Sequence, residues 1–170
     1  MLKERLEKNL NKQINKELFS AYLYMSMGAY FQSANLLGFA NWMHIQAQEE
    51  MQHAQKFYNY INERGARVIL EQIEKPKTEW ASNLNAFEEA LAHEEFITNS
   101  INELVNIALE EKDHATNIFL QWFVTEQVEE EASVTEIINK LKLMKDAPGG
   151  IFMLDRELAQ RQLNIQQTAQ

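Results

Sequence analysis

Apolar residues recur in alternating steps of four and three along four long stretches of this chain, the spacing of helices that bury one face in a bundle. The first stretch, about Lys3 to Ser33, carries the stripe Leu10, Ile14, Glu17, Ala21, Tyr24, Gly28 and Phe31. The second, about Leu37 to Arg64, carries Phe39, Met43, Gln46, Glu50, His53, Phe57 and Tyr60 and stops at Gly65, a common helix terminator. The third, about Leu84 to Glu111, carries Leu84, Phe87, Leu91, Glu94, Thr98, Ile101, Val105 and Ala108. The fourth, about His114 to Lys145, carries Leu120, Phe123, Gln127, Glu130, Val134, Ile137, Leu141 and Met144.

The connections decide how these helices are arranged. Gln32-Ser33-Ala34-Asn35 is a short turn, so the second helix returns antiparallel to the first. Lys112-Asp113-His114 is a tight junction in which Asp113 suits the N-cap. Between Ala66 and Asn83 the period is lost: Val68-Ile69-Leu70 is a brief apolar run, and Lys75-Pro76-Lys77 cannot sit inside a helix. So long an irregular segment is explained if the chain must travel the length of the bundle before the third helix begins. Pro148-Gly149-Gly150 ends the fourth helix. Ile151 to about Gln162 predicts a short fifth helix, and the Gln-rich tail beyond it is expected to fray. The predicted fold is all-α: one domain over residues 1–170, an antiparallel four-helix bundle with one long crossover between the second and third helices, plus a short C-terminal helix.

Composition narrows the chemistry. Five Gly and two Pro in 170 residues suit long helices. The absence of Cys excludes disulfides, thiol catalysis and zinc-thiolate sites and fits a cytoplasmic home. Charged side chains crowd Met1 to Leu10 and no apolar run follows, so neither a secretory signal nor a membrane span is expected. A net charge of −9 argues against nucleic acid and favours cations as partners.

The stripes supply the candidate site. Each carries polar residues near its middle: Glu17, then Glu50 with His53, then Glu94, then Gln127 with Glu130. In Glu50-Met51-Gln52-His53 the carboxylate and imidazole share a helix face and can reach one point, a pairing suited to iron, manganese or zinc. Glu49, Glu126 and Glu129 stand one step off the stripes and can form an adjoining acidic pocket. A single polar residue on such a stripe is ordinarily a hydrogen-bonded core residue. Several converging carboxylates differ, because each desolvated ion costs several kcal/mol unless something compensates. No Lys or Arg stands on any of the four stripes. Strongly raised pKa values or bound cations remain, and two divalent metals would nearly match the charge of four glutamates.

Glu17, Glu94 and Glu50-x-x-His53 match the ferritin-like di-iron scheme of one glutamate from each of two helices plus Glu-x-x-His; the fourth helix departs from it with Gln127-x-x-Glu130. With Tyr24 and Glu126-Gln127-x-Glu129-Glu130, the chain resembles non-haem ferritins of the bacterial and archaeal kind over nearly its whole length. The resemblance implies an iron-storage ferroxidase that oxidises Fe(II) with O2 or H2O2 and mineralises Fe(III) in a hollow shell of 24 subunits. By resemblance, Glu17, Glu50 and His53 hold the first iron, Glu50 bridges to a second held by Glu94 and Glu130, and Glu49, Glu126, Glu129 and Glu130 form a third site. Gln127 would hydrogen-bond near the centre, and Tyr24 would stand beside it as an electron donor. One imidazole fewer on the second iron favours exchange, hence iron as substrate over iron as a fixed prosthetic group.

The remaining candidates have plainer readings. Met51 resembles by its place the methionine with which bacterioferritins hold haem between subunits, but Gln127 and Glu130 depart from the Glu and His of those proteins. Haem is the alternative, and an interface contact is the expected role of Met51. Trp122 could be a further electron source but is read as packing, as are Met25, Met27 and Met43. His44, His93 and His114 are expected at the surface or an interface. The positions matching the acidic three-fold channel of animal ferritins are Asn117 and Leu120, so no acidic funnel is expected there, and iron would enter by another route. A fixed-metal di-iron oxidase or peroxidase and a metal-free structural bundle are the other classes.

Overall fold

Long periodic stretches without helix breakers give long helices, and the computed structural model, which describes residues 2–145, 147 and 149–163, has five: α1 (Glu4–Ser33), α2 (Leu37–Glu63), α3 (Asn83–Glu110), α4 (His114–Leu143) and α5 (Gly150–Leu158). The described residues contain no strand, and the all-α expectation holds. None of the described helices is long and apolar enough to cross a membrane. The fifth helix ends at Leu158 rather than near Gln162, and the fourth at Leu143 rather than Lys145. Gly149, at φ +78, breaks the chain direction between them. Pro148 and the Gln-rich tail over 164–170 lie outside the described residues.

Polar contacts at the ends set the directions. Asn35 adopts the left-handed conformation that Asn tolerates, at φ 59, and the Leu36 amide closes the turn on the Phe31 carbonyl at 3.0 Å. At the start of α1, Lys3 donates to the Glu111 carbonyl at 2.7 Å and Arg5 pairs with Glu110 at 2.6 Å, so α1 runs antiparallel to α3. Asp113 caps α4 by accepting from the Thr116 amide at 3.0 Å, and the Arg64 guanidinium grips the same carboxylate at 3.1 and 2.8 Å. That fork ties the end of α2 to the start of α4 and draws the Asp113 carboxyl down to about 2.

Since α2 ends opposite to where α3 begins, the chain must return along the bundle. α1 has 30 residues, a length of about 45 Å. The crossover is strapped to it in sequence order. Glu7 accepts from the Arg67 amide, Asn11 bonds the Arg67 carbonyl and the Ile69 amide, and Asn15 donates to the Glu71 and Gln72 carbonyls. Farther along, Ser26 donates to the Lys77 carbonyl and Tyr30 to that of Trp80. The irregular backbone finds its hydrogen-bond partners on α1, which explains how so long a loop stays ordered.

The apolar interior divides into two clusters. One gathers Tyr24, Met27, Phe31, Phe39, Met43, Phe87, Val134 and Leu154 at one end. The other gathers Leu6, Leu10, Ile14, Phe57, Ile61, Ile101, Leu104 and Phe123 at the other. Between them lies a belt of buried polar side chains. α3 turns a broader face inward than its predicted stripe. Ala90, Ile97 and Leu104 are fully buried, whereas Leu84, Leu91, Thr98 and Val105 are half-buried. Met25 is exposed, while Met27 and Met43 are in the core; two helical residues step about 200° around the axis, so Met25 and Met27 face opposite ways.

α5 docks on the first turns of α2. Leu154 and Leu158 are buried there, Asp155 accepts from the Gly38 and Phe39 amides at 2.8 and 3.1 Å, and Asn41 donates to the Leu158 and Arg161 carbonyls at 3.2 and 3.1 Å. The approach leaves room only for glycine, since a Cβ on Gly38 would stand 1.6 Å from the Asp155 carbonyl oxygen. Gly38→Ala should therefore displace α5, at a cost of about 1–3 kcal/mol or more. Faster limited proteolysis after residue 149 with the four-helix far-UV dichroism retained is the expected result, and unchanged cleavage would count against this docking.

Candidate metal centre

The middle of each bundle helix contributes to the belt. Glu17, Glu50, His53 and Glu94 are at most 3% exposed and Glu130 is 5% exposed, so all five are withdrawn from water. α1 supplies Glu17, α2 supplies Glu50 and His53, α3 supplies Glu94, and α4 supplies Gln127 and Glu130. The carboxylates meet neutral donors. Gln13 donates to Glu17 Oε1 at 2.7 Å. Gln46 donates to Glu50 Oε1 at 3.1 Å and to Glu130 Oε2 at 2.6 Å. The Tyr24 hydroxyl donates to Glu94 Oε1, and Gln127 to Glu94 Oε2 at 3.2 Å. Among the described residues no Lys or Arg pairs with any of these four glutamates.

Two oxygens of the belt, Glu17 Oε2 and Glu50 Oε2, are buried with no hydrogen-bond partner, and His53 Nδ1 stands 3.5 Å from the second. Orphaned buried carboxylate oxygens are costly and rare, and a bound cation or a proton would satisfy them. Donor atoms of Glu17, Glu50 and His53 lie within 4.8 Å of one another, and so do those of His53, Glu126 and Glu130. Two carboxylates and an imidazole are a donor set that fits iron.

Burial pushes the Glu17 carboxyl up to about 8, with the neighbouring Glu50 adding to it. Glu94 is pushed to about 8 by burial and then by Glu50. Glu50 and Glu130 are raised for the same first reason, followed by repulsion from Glu130 and Glu94 respectively. Burial, then the charge of Glu94, holds the Tyr24 hydroxyl protonated well above its usual range. Its ring packs edge-on to Trp42, with centroids 6.5 Å apart.

The other expected site residues lie around the belt. Glu94 falls outside both three-residue groups, its oxygens taken by Tyr24 and Gln127. Glu126 is half-buried and Glu129 is exposed. Glu49 is drawn to a residue that the stripes did not contain: Arg161, just after α5, donates to Glu49 Oε2 at 2.5 Å and to Gln46 Oε1 at 2.9 Å. The compensation assigned wholly to protons or metals thus has one built-in cationic contributor at the edge of the belt. Gln13 also escaped the stripe, being one step from Ile14, and its carbonyl accepts from Ser100 at 2.5 Å.

Of the plainer expectations, those for His93 and Leu120 need correction. His93 is half-buried rather than at the surface: it packs against the Phe19, Tyr24 and Phe96 rings, bonds Ser20 Oγ at 2.8 Å, and burial lowers its pKa to about 4. Leu120 is fully buried in the core and so can line no channel, and Asn117 accepts from Gln121 at 3.1 Å. Trp122 packs edge-on to His53 at 5.5 Å under the Lys56 ammonium. His44, His114 and Met51 are exposed.

The profile of the ferritin-like domain matches residues 7–144. A bacterial non-heme ferritin of Bacteroides fragilis is 44% identical over 161 residues, 95% of this chain and 100% of that protein. One from Staphylococcus epidermidis is 42% identical over 166 residues, 98% and 100% of the two chains. The crystal structure of an Archaeoglobus fulgidus protein described as an open-pore ferritin superposes with a TM-score of 0.94 at 50% identity, over 95% of this chain and 100% of that one.

The raised carboxyls have a direct consequence for stability without metal. A carboxyl whose pKa is higher folded than unfolded is at its least costly below the unfolded value, 4.5, and loses stability as pH climbs towards about 8. The metal-free protein should unfold at lower temperature at pH 8.5 than at pH 5, by roughly 10 °C for a shift of a few kcal/mol. A divalent cation should restore most of the difference at pH 8.5 and little at pH 5. Calorimetry across that range checks it, and a flat profile would show that the four carboxyls are not buried together.

Proposed function

Because the chain belongs to the ferritin family, we propose that it is an iron-storage subunit that takes Fe(II) as substrate into its polar belt. Two Fe(II) ions give one electron each to O2, which leaves with two protons as H2O2; with H2O2 as oxidant, two protons are taken up and two waters leave. Fe(III) then passes to a mineral within a hollow shell of 24 copies. The work is cytoplasmic, in keeping with a chain that contains no Cys.

The observation that carries this reading is the pair of orphaned, buried oxygens on Glu17 and Glu50 beside His53. Three hard oxygen and nitrogen donors in a sealed site bind a small transition-metal cation far better than an organic ligand. In the proposed assignment Glu17, Glu50 and His53 hold the first iron, while Glu50 extends to a second held by Glu94 and Glu130. Glu49, Glu126, Glu129 and Glu130 form an outer site. Gln127 steadies Glu94, and Tyr24, bonded to the same carboxylate, supplies an electron next to the metals.

The asymmetry of the site suits a substrate. The first position has an imidazole, whereas the fourth helix offers the carboxylate of Glu130 where a second histidine would make both positions firm. Carboxylate positions release hard cations more readily. The proposed site therefore has one firm side and one yielding side.

The double variant E50A/H53A should assemble normally and oxidise Fe(II) at least about tenfold more slowly in its initial phase, the lower end of what losing ligand support costs. Unchanged initial oxidation would refute the assignment. Size-exclusion chromatography after loading addresses storage: a large particle carrying many irons per chain is expected. Retention of only about two or three irons per chain would instead indicate a fixed-metal oxidase.

A further inference from the structure

We propose that Arg161 is the resident countercharge of the outer acidic site, holding Glu49 until a cation replaces it and so keeping that site weaker than the belt. The inference rests on the metal reading above and concerns a residue that reading does not use.

Arg161 is held from several sides. Its guanidinium centre lies 4.3 Å from the Trp42 ring centroid, Nη1 donates to the Trp42 carbonyl at 3.3 Å, and Nη2 donates to both Glu49 Oε2 and Gln46 Oε1. The backbone that carries it is pinned as well, since Asn41 donates to the Arg161 carbonyl at 3.1 Å. The close packing of α5 against Gly38 fixes where that backbone leaves the helix. The pair is largely withdrawn from solvent, with side chains 21% and 13% exposed. A planar fork stacked on an aromatic ring and shared between two acceptors is placed with little freedom.

Its position gives it two effects. The guanidinium cancels the charge of one carboxylate on which an outer cation would depend, so binding there must either displace Arg161 or accept a like charge beside it. It also orients Gln46: by taking the amide oxygen, Arg161 leaves the amide nitrogen to Glu50 and Glu130 at 3.1 and 2.6 Å. Through Gln46 the outer edge is joined to the belt by hydrogen bonds alone. A residue serving only to fasten α5 would need neither contact, because Asp155, Asn41 and the two buried leucines already do so.

The test uses Zn(II), which cannot be oxidised, titrated calorimetrically into the assembled, metal-free protein. The parent should show a tight class and a weaker class of sites. Arg161→Gln should tighten the weaker class roughly tenfold to a hundredfold, the range that a hydrogen bond to a charged group represents, and leave the tight class within about threefold. Arg161→Lys keeps the charge without the fork and should fall between; it serves where R161Q does not assemble. Glu49→Gln should abolish the gain, so that E49Q and E49Q/R161Q bind alike. A weaker class that R161Q leaves unmoved or loosens, while the tight class is intact, overturns the inference and spares the metal reading. Tightening that persists without Glu49 also overturns it. A parent that binds no Zn(II) removes both.

Discussion

Four carboxylates buried at one level of a helical bundle are the constraint on which the rest of this structure depends. They divide the apolar core in two, and each half must then be stable enough to hold the helices while a polar layer lies between them. The aromatic residues do much of that work. Phe31, Phe39 and Phe87 pack together at one end, and Phe57 stacks on Phe123 at 4.2 Å at the other, immediately beside His53. Large rigid rings next to the belt fix the helix spacing to which the carboxylates must conform. The long crossover and its polar straps to α1 follow from the same need, since helices running the whole length of the bundle place all four mid-points at one height.

The belt is equipped with neutral donors rather than charges. Gln13, Gln46, Gln127 and Tyr24 each occupy a carboxylate oxygen and bring no positive charge to the belt. A Lys in any of these positions would have stabilised the empty bundle better and cancelled the attraction for a cation. Amides and a phenol fix the rotamers of the glutamates while leaving Glu17 Oε2 and Glu50 Oε2 unsatisfied. On the proposed reading, stability without metal is given up at the place where metal affinity is needed, a trade expected of functional sites.

Much of this was legible in the chain because the helices are long and the breakers few. Glu17, Glu50, Glu94, Gln127 and Glu130 stand on apolar stripes, and period alone turns them inward. Gln13 was not legible, since its place one step from Ile14 reads as the border of the stripe, and only the neighbouring α3 with Ser100 buries it. His93 is a similar case: it adjoins Glu94 on a helix whose buried sector is wider than a heptad seam. Arg161 could not be found from spacing at all. Its contact with Glu49 joins residues 112 apart in the chain, and it depends on the fit of α5 over a single glycine.

The order of exposure along the donors gives the site a direction. Glu17 and Glu50 are sealed, Glu130 is slightly open, the Glu49 side chain is 13% exposed beside Arg161, and Glu129 is in solvent. A charge–charge attraction weakens steeply as water raises the local dielectric, so a cation loses hold with each outward step even where every step offers carboxylates. Four equally buried positions would trap iron, and four equally exposed ones would not gather two ions close enough for two-electron chemistry. A graded series avoids both failures. His53 has donor atoms near both groups, with Glu17 and Glu50 on one side and Glu126 and Glu130 on the other, and so stands, on the proposed assignment, where the firm end would pass into the yielding one.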